Sequence, residues 1–460
     1  MPQVQAGPLD RRRFLMLSAA GAAAAAAPLT PACASSGRIS SLGLDASQLG
    51  VRAGSPDDQS RALQGAIDRA AAARVPLALG PGVYRVGDLH LPAGGRIVGV
   101  PGATRLLLSR GPSLFSGTRA DAVALSGLML DGASLALPEG RGLVHLTDGR
   151  KVEISGCEIT GSARHGLRLE RIEGEVTGTT VSGAQGAGIF SLDAQGLRIA
   201  GNTIRACGNN GILVWRSFPG DDGTLVTDNR IEDIGAKDGG SGQNGNAINV
   251  FRAGNVIVRG NRISGAAFSA VRGNSASNLQ IAGNTCTSLG EVALYAEFGF
   301  EGALIANNLV DGAALGVAVT NFNEGGRLAV VQGNMIRNLL PVRAAGADPD
   351  DPAGIGIGVE ADTAVTGNVV EGAPTAGLLL GWGRYLRDVS ATGNVLRDCG
   401  IGIAVSVAAG AGPALIADNL ISAVRRGAII GMGGHTPMTG DLADGSARHA
   451  HLTITGNRLR

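Results

Sequence analysis

From about residue 123 to the last residue, one short unit returns about a dozen times: an alternating apolar strand, a Gly-Asn-like pair, then an aliphatic residue. Copies run from VEISGCEI and LRIAGNTI through VIVRGNRI and ALIANNLV to LTITGNRL. The equivalent positions are Cys157, Thr179, Asn202, Asn229, Asn261, Asn284, Asn308, Asn334, Asn368, Asn394, Asn419 and Asn457. Most neighbours are 22 to 27 residues apart, and wider gaps of 32, 34 and 38 mark insertions. A unit this short, with two or three strands, has no core of its own and buries its aliphatic side chains only against copies of itself. A length of 460 residues would otherwise suggest two or three domains. Here it describes one stack.

The repeat predicts an all-β chain, a right-handed parallel β-helix of about 12–14 coils. Aromatic residues are only 3%, so Ile, Val, Leu and Ala must fill the core, which suits a narrow stack. The repeated asparagines are read as structural: at a coil corner Asn tolerates left-handed backbone, and its amide can bond the Asn of the next coil ~4.8 Å away. Cysteines at 33, 157, 207, 286 and 399 show no metal-ligand spacing, and Cys157 and Cys286 occupy stacking or inward positions. Buried free thiols are expected rather than a disulfide framework. Net charge is +1, which gives no electrostatic case for nucleic acid or an anionic membrane.

Residues 1–34 read as a twin-arginine (Tat) signal peptide: Arg11, Arg12 and Arg13 precede a short, small-residue-rich apolar run, and Ala32 to Ala34 supply a cleavage site. The run is shorter than the ~18 to 20 residues of a membrane span, so no transmembrane segment is expected in the mature chain. Cys33 could be lipidated, although Thr30 and Pro31 fit a lipobox poorly. Export by this route implies a periplasmic or secreted protein. Residues 35–122 are read as a cap with the first coils, and 123–460 as the repetitive helix. Within the cap, Ser55 as N-cap, Pro56 and Asp58 signal a helix start, and Leu63, Ala66, Ile67 and Ala70 form an apolar face suited to covering the end of the stack.

A strand of pattern Gly-aliphatic-x-aliphatic follows each asparagine unit, as in HGLRLE, NGILVWR, VALYAEF and IGIGVEA. Alternation sends its aliphatics inward and the residues between them outward. Outward positions include Arg168 and Glu170, Phe190, Leu213 and Trp215, Asn249 and Phe251, Arg272 and Asn274, Tyr295 and Glu297, Thr320, and Glu360. Phe190, Trp215, Phe218, Phe251, Tyr295, Phe298, Phe300, Phe322, Trp382 and Tyr385 all fall in or just after this strand. Insertions at 236–245 and 341–354 precede it, so the strip should floor a cleft. Aromatic faces and planar polar groups suit a polysaccharide or other glycan, with Trp215, Phe251, Asn249, Asn274, Tyr295 and Arg168 as candidate binding residues. The competing reading is that these aromatics cover loops folded over the body.

For chemistry, Glu297 and Glu360 lie two coils apart, within the span of an inverting glycosidase pair, with Arg272 one coil from Glu297. A glycoside hydrolase would use the two acids on an acidic or acetylated polysaccharide. A polysaccharide lyase would use a base such as Arg272, with Ca²⁺ on Asp348, Asp350 and Asp351; that reading alone brings a cofactor. Against both stands a plain cross-coil ion pair between Arg272 and Glu297, with the aspartates a solvated loop. His435, His449, His451 and Asp441 form a late cluster that could be asked to hold a metal.

The segment DDQSRALQGAIDRAAAARVPLALGPGVYRVGDLHLPAGGRIVG resembles the opening of pectate-lyase-like right-handed β-helix proteins, and the GN-x-I coils continue the likeness to the end. Joined to a Tat signal, the repeat resembles the bacterial Tat-translocated repetitive protein family. The resemblance implies the fold. It brings no catalytic residue, because the superfamily includes lyases, hydrolases, epimerases and non-enzymatic adhesin or phage-tail modules, and neither the paired aspartates of polygalacturonases nor the Asp and Arg set of pectate lyases has a counterpart here. The alternative function is therefore a non-catalytic structural or interaction protein of the cell envelope.

Overall fold

Each repeat folds as one coil of three strands, and every coil pairs in parallel with the coils before and after it. In the computed structural model, which describes residues 43–240, 242–347, 351–444 and 449–460, the strands Arg198–Ala200, Thr203–Arg205 and Asn210–Asp221 make one coil. Leu225–Thr227, Arg230–Ile234 and Asn246–Gly254 lie on them in parallel in the next, in register except for a shift between Trp215 and Gly220. The stack has about 14 turns. The aliphatic residue after each asparagine is the centre of a short strand, and these strands line up as one 15-stranded face. Ile204 and Ile231, both fully buried, are examples. The segment Arg11 to Ala34, with Cys33, lies outside the described residues. No described helix is long and apolar enough to cross a membrane.

The asparagines form an unbroken ladder from Asn202 to Asn457. In each rung the backbone N–H and side-chain Nδ2 of one Asn both donate to Oδ1 of the next, as from Asn261 to Asn284 at 2.9 and 3.0 Å. The same Nδ2 also donates to a carbonyl of the coil before, Asn284 to Val258 at 3.1 Å. One side chain thereby satisfies backbone groups left open at the corner by the break between two strands. The left-handed residue at the corner is the one before each asparagine: Gly201, Asp228, Gly260, Gly283 and Asn307, for example. This corrects the expectation that the ladder asparagines adopt that conformation. The position tolerates Gly, Asp or Asn because these reach positive φ at least cost.

The cap helix runs from Ser60 to Ala72 and begins later than Ser55 and Pro56 suggest. Ser55 Oγ accepts the Asp57 N–H at 3.2 Å, and Asp58 Oδ1 accepts the Ser60 N–H at 2.9 Å. Two side-chain-closed turns thus precede the helix, and Asp58 serves its first open donor. Leu63, Ala66, Ile67 and Ala70 are buried against the first coils as the pattern requires. Gln64 fixes the helix by donating to the His90 carbonyl and accepting the His90 N–H. Among the described residues the four cysteines are free and buried, and burial pushes the Cys286 thiol up to about 12.

Deleting a rung removes the partners of several buried groups at once. Asn284→Ala is expected to cost ~3 kcal/mol or more, because the Asn261 donors and the Val258 carbonyl lose their bonds to Asn284 and Asn308 Oδ1 keeps only the backbone one. Asn457→Ala, at the half-buried end of the ladder, should cost ~1 kcal/mol. Thermal unfolding followed by circular dichroism checks the order.

Candidate functional site

On the strand that follows the 15-stranded face, outward residues stand in register, one per coil: Arg168, Phe190, Leu213, Asn249, Arg272, Tyr295, Ala318, Gly358 and Leu379. Two residues along, Glu170, Leu192, Trp215, Phe251, Asn274 and Glu297 form a second column. Alternation thus places the strip where the sequence puts it. The loops decide which parts of it are open.

At the N-terminal end the aromatic rings touch across four coils. His165 and Phe190 are 5.1 Å apart, Phe190 and Trp215 5.2 Å, and Trp215 and Phe251 5.5 Å, the first two pairs edge to face. The Arg168 guanidinium lies 4.6 Å from the Phe190 centroid and also binds Glu170. A pocket of about 360 Å³ opens beside this stack, lined by His165, Phe190 and Trp215 with Gln185, Asn209 and Lys237. His165 Nδ1 accepts the Ala187 N–H at 3.0 Å, which leaves the ring proton on Nε2. Burial, with Arg168 and Arg164 nearby, lowers its pKa to about 4, so the ring is neutral at ordinary pH.

Asn249, expected to bind ligand, is instead spent on the protein. Its Oδ1 accepts Trp215 Nε1–H at 3.1 Å and its Nδ2 donates to the Gly242 carbonyl at 2.8 Å. Asn210 and Asn246 bind the same loop through the carbonyls of Gln243 and Gly242. The 236–245 insertion is therefore a fixed cover. Phe268, buried beneath it, lies so close to Gly245 that a Cβ there would meet its ring at 2.1 Å, and Gly245 also has φ +79°. Glycine is required there on both grounds.

Arg272 and Glu297 are 7% and 1% exposed, closed off from solvent rather than presented to it. Arg272 Nε and Nη2 donate to the two oxygens of Glu297 at 2.6 and 2.9 Å, and Asn274 Nδ2 adds a bond at 3.0 Å. Arg272 Nη1 also reaches Glu291, whose other oxygen accepts from Arg343 Nη1 at 3.0 Å. Arg343 belongs to the 341–354 insertion and pairs in turn with Asp351. The Arg272–Glu297 pair is thus the cross-coil ion pair of the sequence reading, buried rather than on the surface. Both residues are consumed by each other, and Glu297 does not share an open site with Glu360. Asn274 is half-buried and committed to the same pair. Glu291 and Arg343 are absent from the sequence reading; 52 residues separate them, and no spacing links a turn acid to an insertion arginine.

Beyond this network a second pocket, about 380 Å³, lies over Tyr295, Leu379, Trp382 and Glu360, with Asp351 and His435 at its edge. Glu360 Oε2 accepts the Phe322 N–H at 2.7 Å. Burial raises the Glu360 pKa above its ordinary value of 4.5, with the backbone bonds opposing. The late cluster assembles only in part: His449 and His451 pack edge to face at 6.0 Å, but His435 packs on Trp382 at 4.5 Å, His451 Nε2 lies 3.2 Å from the Ser406 carbonyl oxygen, and Asp441 accepts the N–H groups of Ala428 and Ile429. Phe300 is fully buried and leaves the strip, whereas Phe218 protrudes at 78% exposure. Asp348 and Asp350 lie outside the described residues. Among the described residues no three His, Cys, Asp or Glu side chains cluster as metal ligands.

Arg272→Met should cost ~3–5 kcal/mol in denaturant unfolding, since it leaves the buried Glu297 carboxylate without a cation and Glu291 with Arg343 alone. For Glu360 the sign is the reverse of a salt-bridged acid. Its raised folded pKa contributes stability that is complete below 4.5 and lost as pH rises through the folded value. Glu360→Gln should therefore melt above the wild type at about pH 7, and the gap should close below the ordinary carboxylate pKa.

The sequence matches the right-handed β-helix region model over residues 137–220 and 217–387, more than half of the chain. No protein of curated function matches it in sequence. The pre-mature gene product 12 of bacteriophage phi29 is similar in structure at 15% identity and a TM-score of 0.50, over 85% of this chain and 55% of the phage protein, so the chain spans about half its length. DFA-IIIase from Arthrobacter chlorophenolicus A6 aligns at 16% identity over 77% and 94% of the two chains, TM-score 0.48. PfbA, a surface adhesin of Streptococcus pneumoniae, aligns at 13% over 91% and 90%, TM-score 0.47. At such identities the likeness is one of fold.

Proposed function

This chain belongs to the right-handed β-helix family, and on that premise we propose that it is an exported protein whose outward strip binds a polysaccharide. The observation that carries the reading is the row of touching rings from His165 to Phe251 beside an open pocket rimmed by amides. Sugar rings present apolar faces that stack on aromatic side chains and hydroxyls that bond planar polar groups. Trp215 and Phe251 offer half-buried rings, and Gln185 and Gln243 offer exposed amides, whereas the Asn209 amide is spent on Asp238. Arg168 shapes the platform by lying on Phe190.

The acid-pair chemistry of Glu297 with Glu360, and Arg272 as a base, receive no support from this arrangement, because Arg272 and Glu297 neutralise each other out of reach of a ligand. Binding is therefore the function proposed. The arginines at 11 to 13, joined to this repeat, support export by the twin-arginine route and kinship with the Tat-translocated repetitive proteins.

Purified protein lacking residues 1–34 should retain at least one of cellohexaose, xylohexaose and trigalacturonate in affinity electrophoresis or calorimetry. Trp215→Ala should weaken that binding about tenfold or more, as truncation of a central aromatic anchor does. Retention of none of these glycans, or an unchanged affinity in the variant, would count against the reading.

A further inference from the structure

The strip is divided. Between the coils of Leu213 and Tyr295, which line the two pockets, lie the coils of Asn249 and Arg272. Both residues are sealed, Asn249 by the 236–245 loop and Arg272 by its bonds to Glu291 and Glu297. Gly242 of that loop lies against the Arg272 guanidinium, since a Cβ on it would stand 3.8 Å away. Phe268 fills the space beneath Gly245 and also reaches Gly346, so one buried ring supports both covering insertions. A ligand cannot run along the floor from one pocket to the other.

The chemistry of the two pockets also differs. Arg164 and Lys237 stand at the first, together with Glu139 and Asp238, and Asp238 is bonded to Asn209. At the second, the charged groups are the carboxyls of Glu360 and Asp351 and the guanidinium of Arg343, which is spent on Glu291, Asp351 and the Pro352 carbonyl. Tyr295, Leu379 and Trp382 supply apolar surface. Glu360 is held from the backbone side, its Oε2 accepting the Phe322 N–H. Among the described residues, a carboxylate-bearing ligand would meet two acids and an arginine that is already paired, whereas a hydroxyl-rich ring can donate to Glu360 and stack on Trp382.

We infer that the Glu360–Trp382 pocket is a second, independent glycan site that takes a neutral sugar unit, separated from the Trp215 site by the buried Arg272 partition. The inference rests on the carbohydrate reading above and specifies it: two sites instead of one cleft. Trp215 and Trp382 are six coils apart in register, ~29 Å along the stack.

The composition supplies the test, because the chain has two tryptophans and each pocket holds one of them. In Trp215→Phe the fluorescence comes from Trp382 alone, and in Trp382→Phe from Trp215 alone. Cellohexaose, xylohexaose and trigalacturonate are titrated into both variants and the wild type, with calorimetry for stoichiometry. The expected result is a Trp382 signal that responds to a neutral hexaose and not to trigalacturonate, with a midpoint unchanged by Trp215→Ala. Glu360→Ala in the Trp215→Phe background should weaken it at least tenfold. Two sites per chain should fall to one in Trp382→Ala. A silent Trp382 beside a responsive Trp215 overturns the second site and leaves the first, and so does a single shared midpoint with one site per chain. Silence of both tryptophans and no heat overturns the carbohydrate reading itself.

Discussion

The asparagine ladder is the interaction on which the rest of this structure depends. Each rung joins two coils by a side-chain bond and also answers the backbone groups stranded at the corner between two strands. The ladder positions are almost wholly buried through Asn419, so every bond forms away from competing water. Because the rungs are spaced by the coil repeat, they hold every third-face strand in register with its neighbours. A slip by one residue would exchange the inward aliphatics for the outward strip.

That fixed register gives the outward strip its meaning. Side chains from residues more than twenty apart in sequence are set ~4.8 Å apart in a row. His165, Phe190, Trp215 and Phe251 become a continuous aromatic surface in this way, with no local sequence motif. The same geometry brings Arg272 beside Glu297, where burial turns two expected functional residues into an internal ion pair. Charge of this kind is costly to desolvate, and the network of Glu291 and Arg343 compensates while tying an insertion to the body. The insertions then act as partitions that leave two pockets open on one face.

Much of this was legible in the sequence. The repeat determined the coil, the alternation determined which residues face outward, and the cap-helix periodicity determined its buried side. The aromatic strip followed from the same count, with Phe300 the exception because it turns into the core just after its strand. Local chemistry misled in two places. Ser55 and Pro56 resemble a helix start, yet Asp58 takes the first donor; and the corner asparagine resembles a left-handed residue, yet its predecessor adopts that conformation.

What the sequence determined by itself is therefore periodic: the stack, its ladder and the strip, because each arises from short-range alternation repeated many times. What only the tertiary structure decided is aperiodic: that the 236–245 loop lies down on Asn249, and that Glu291 and Arg343 close over Arg272. It also decided that Glu360 shares a pocket with Trp382. These contacts join residues of unrelated spacing, through loops whose paths are set by packing and hydrogen bonds rather than by pattern. They turn one legible strip into two pockets.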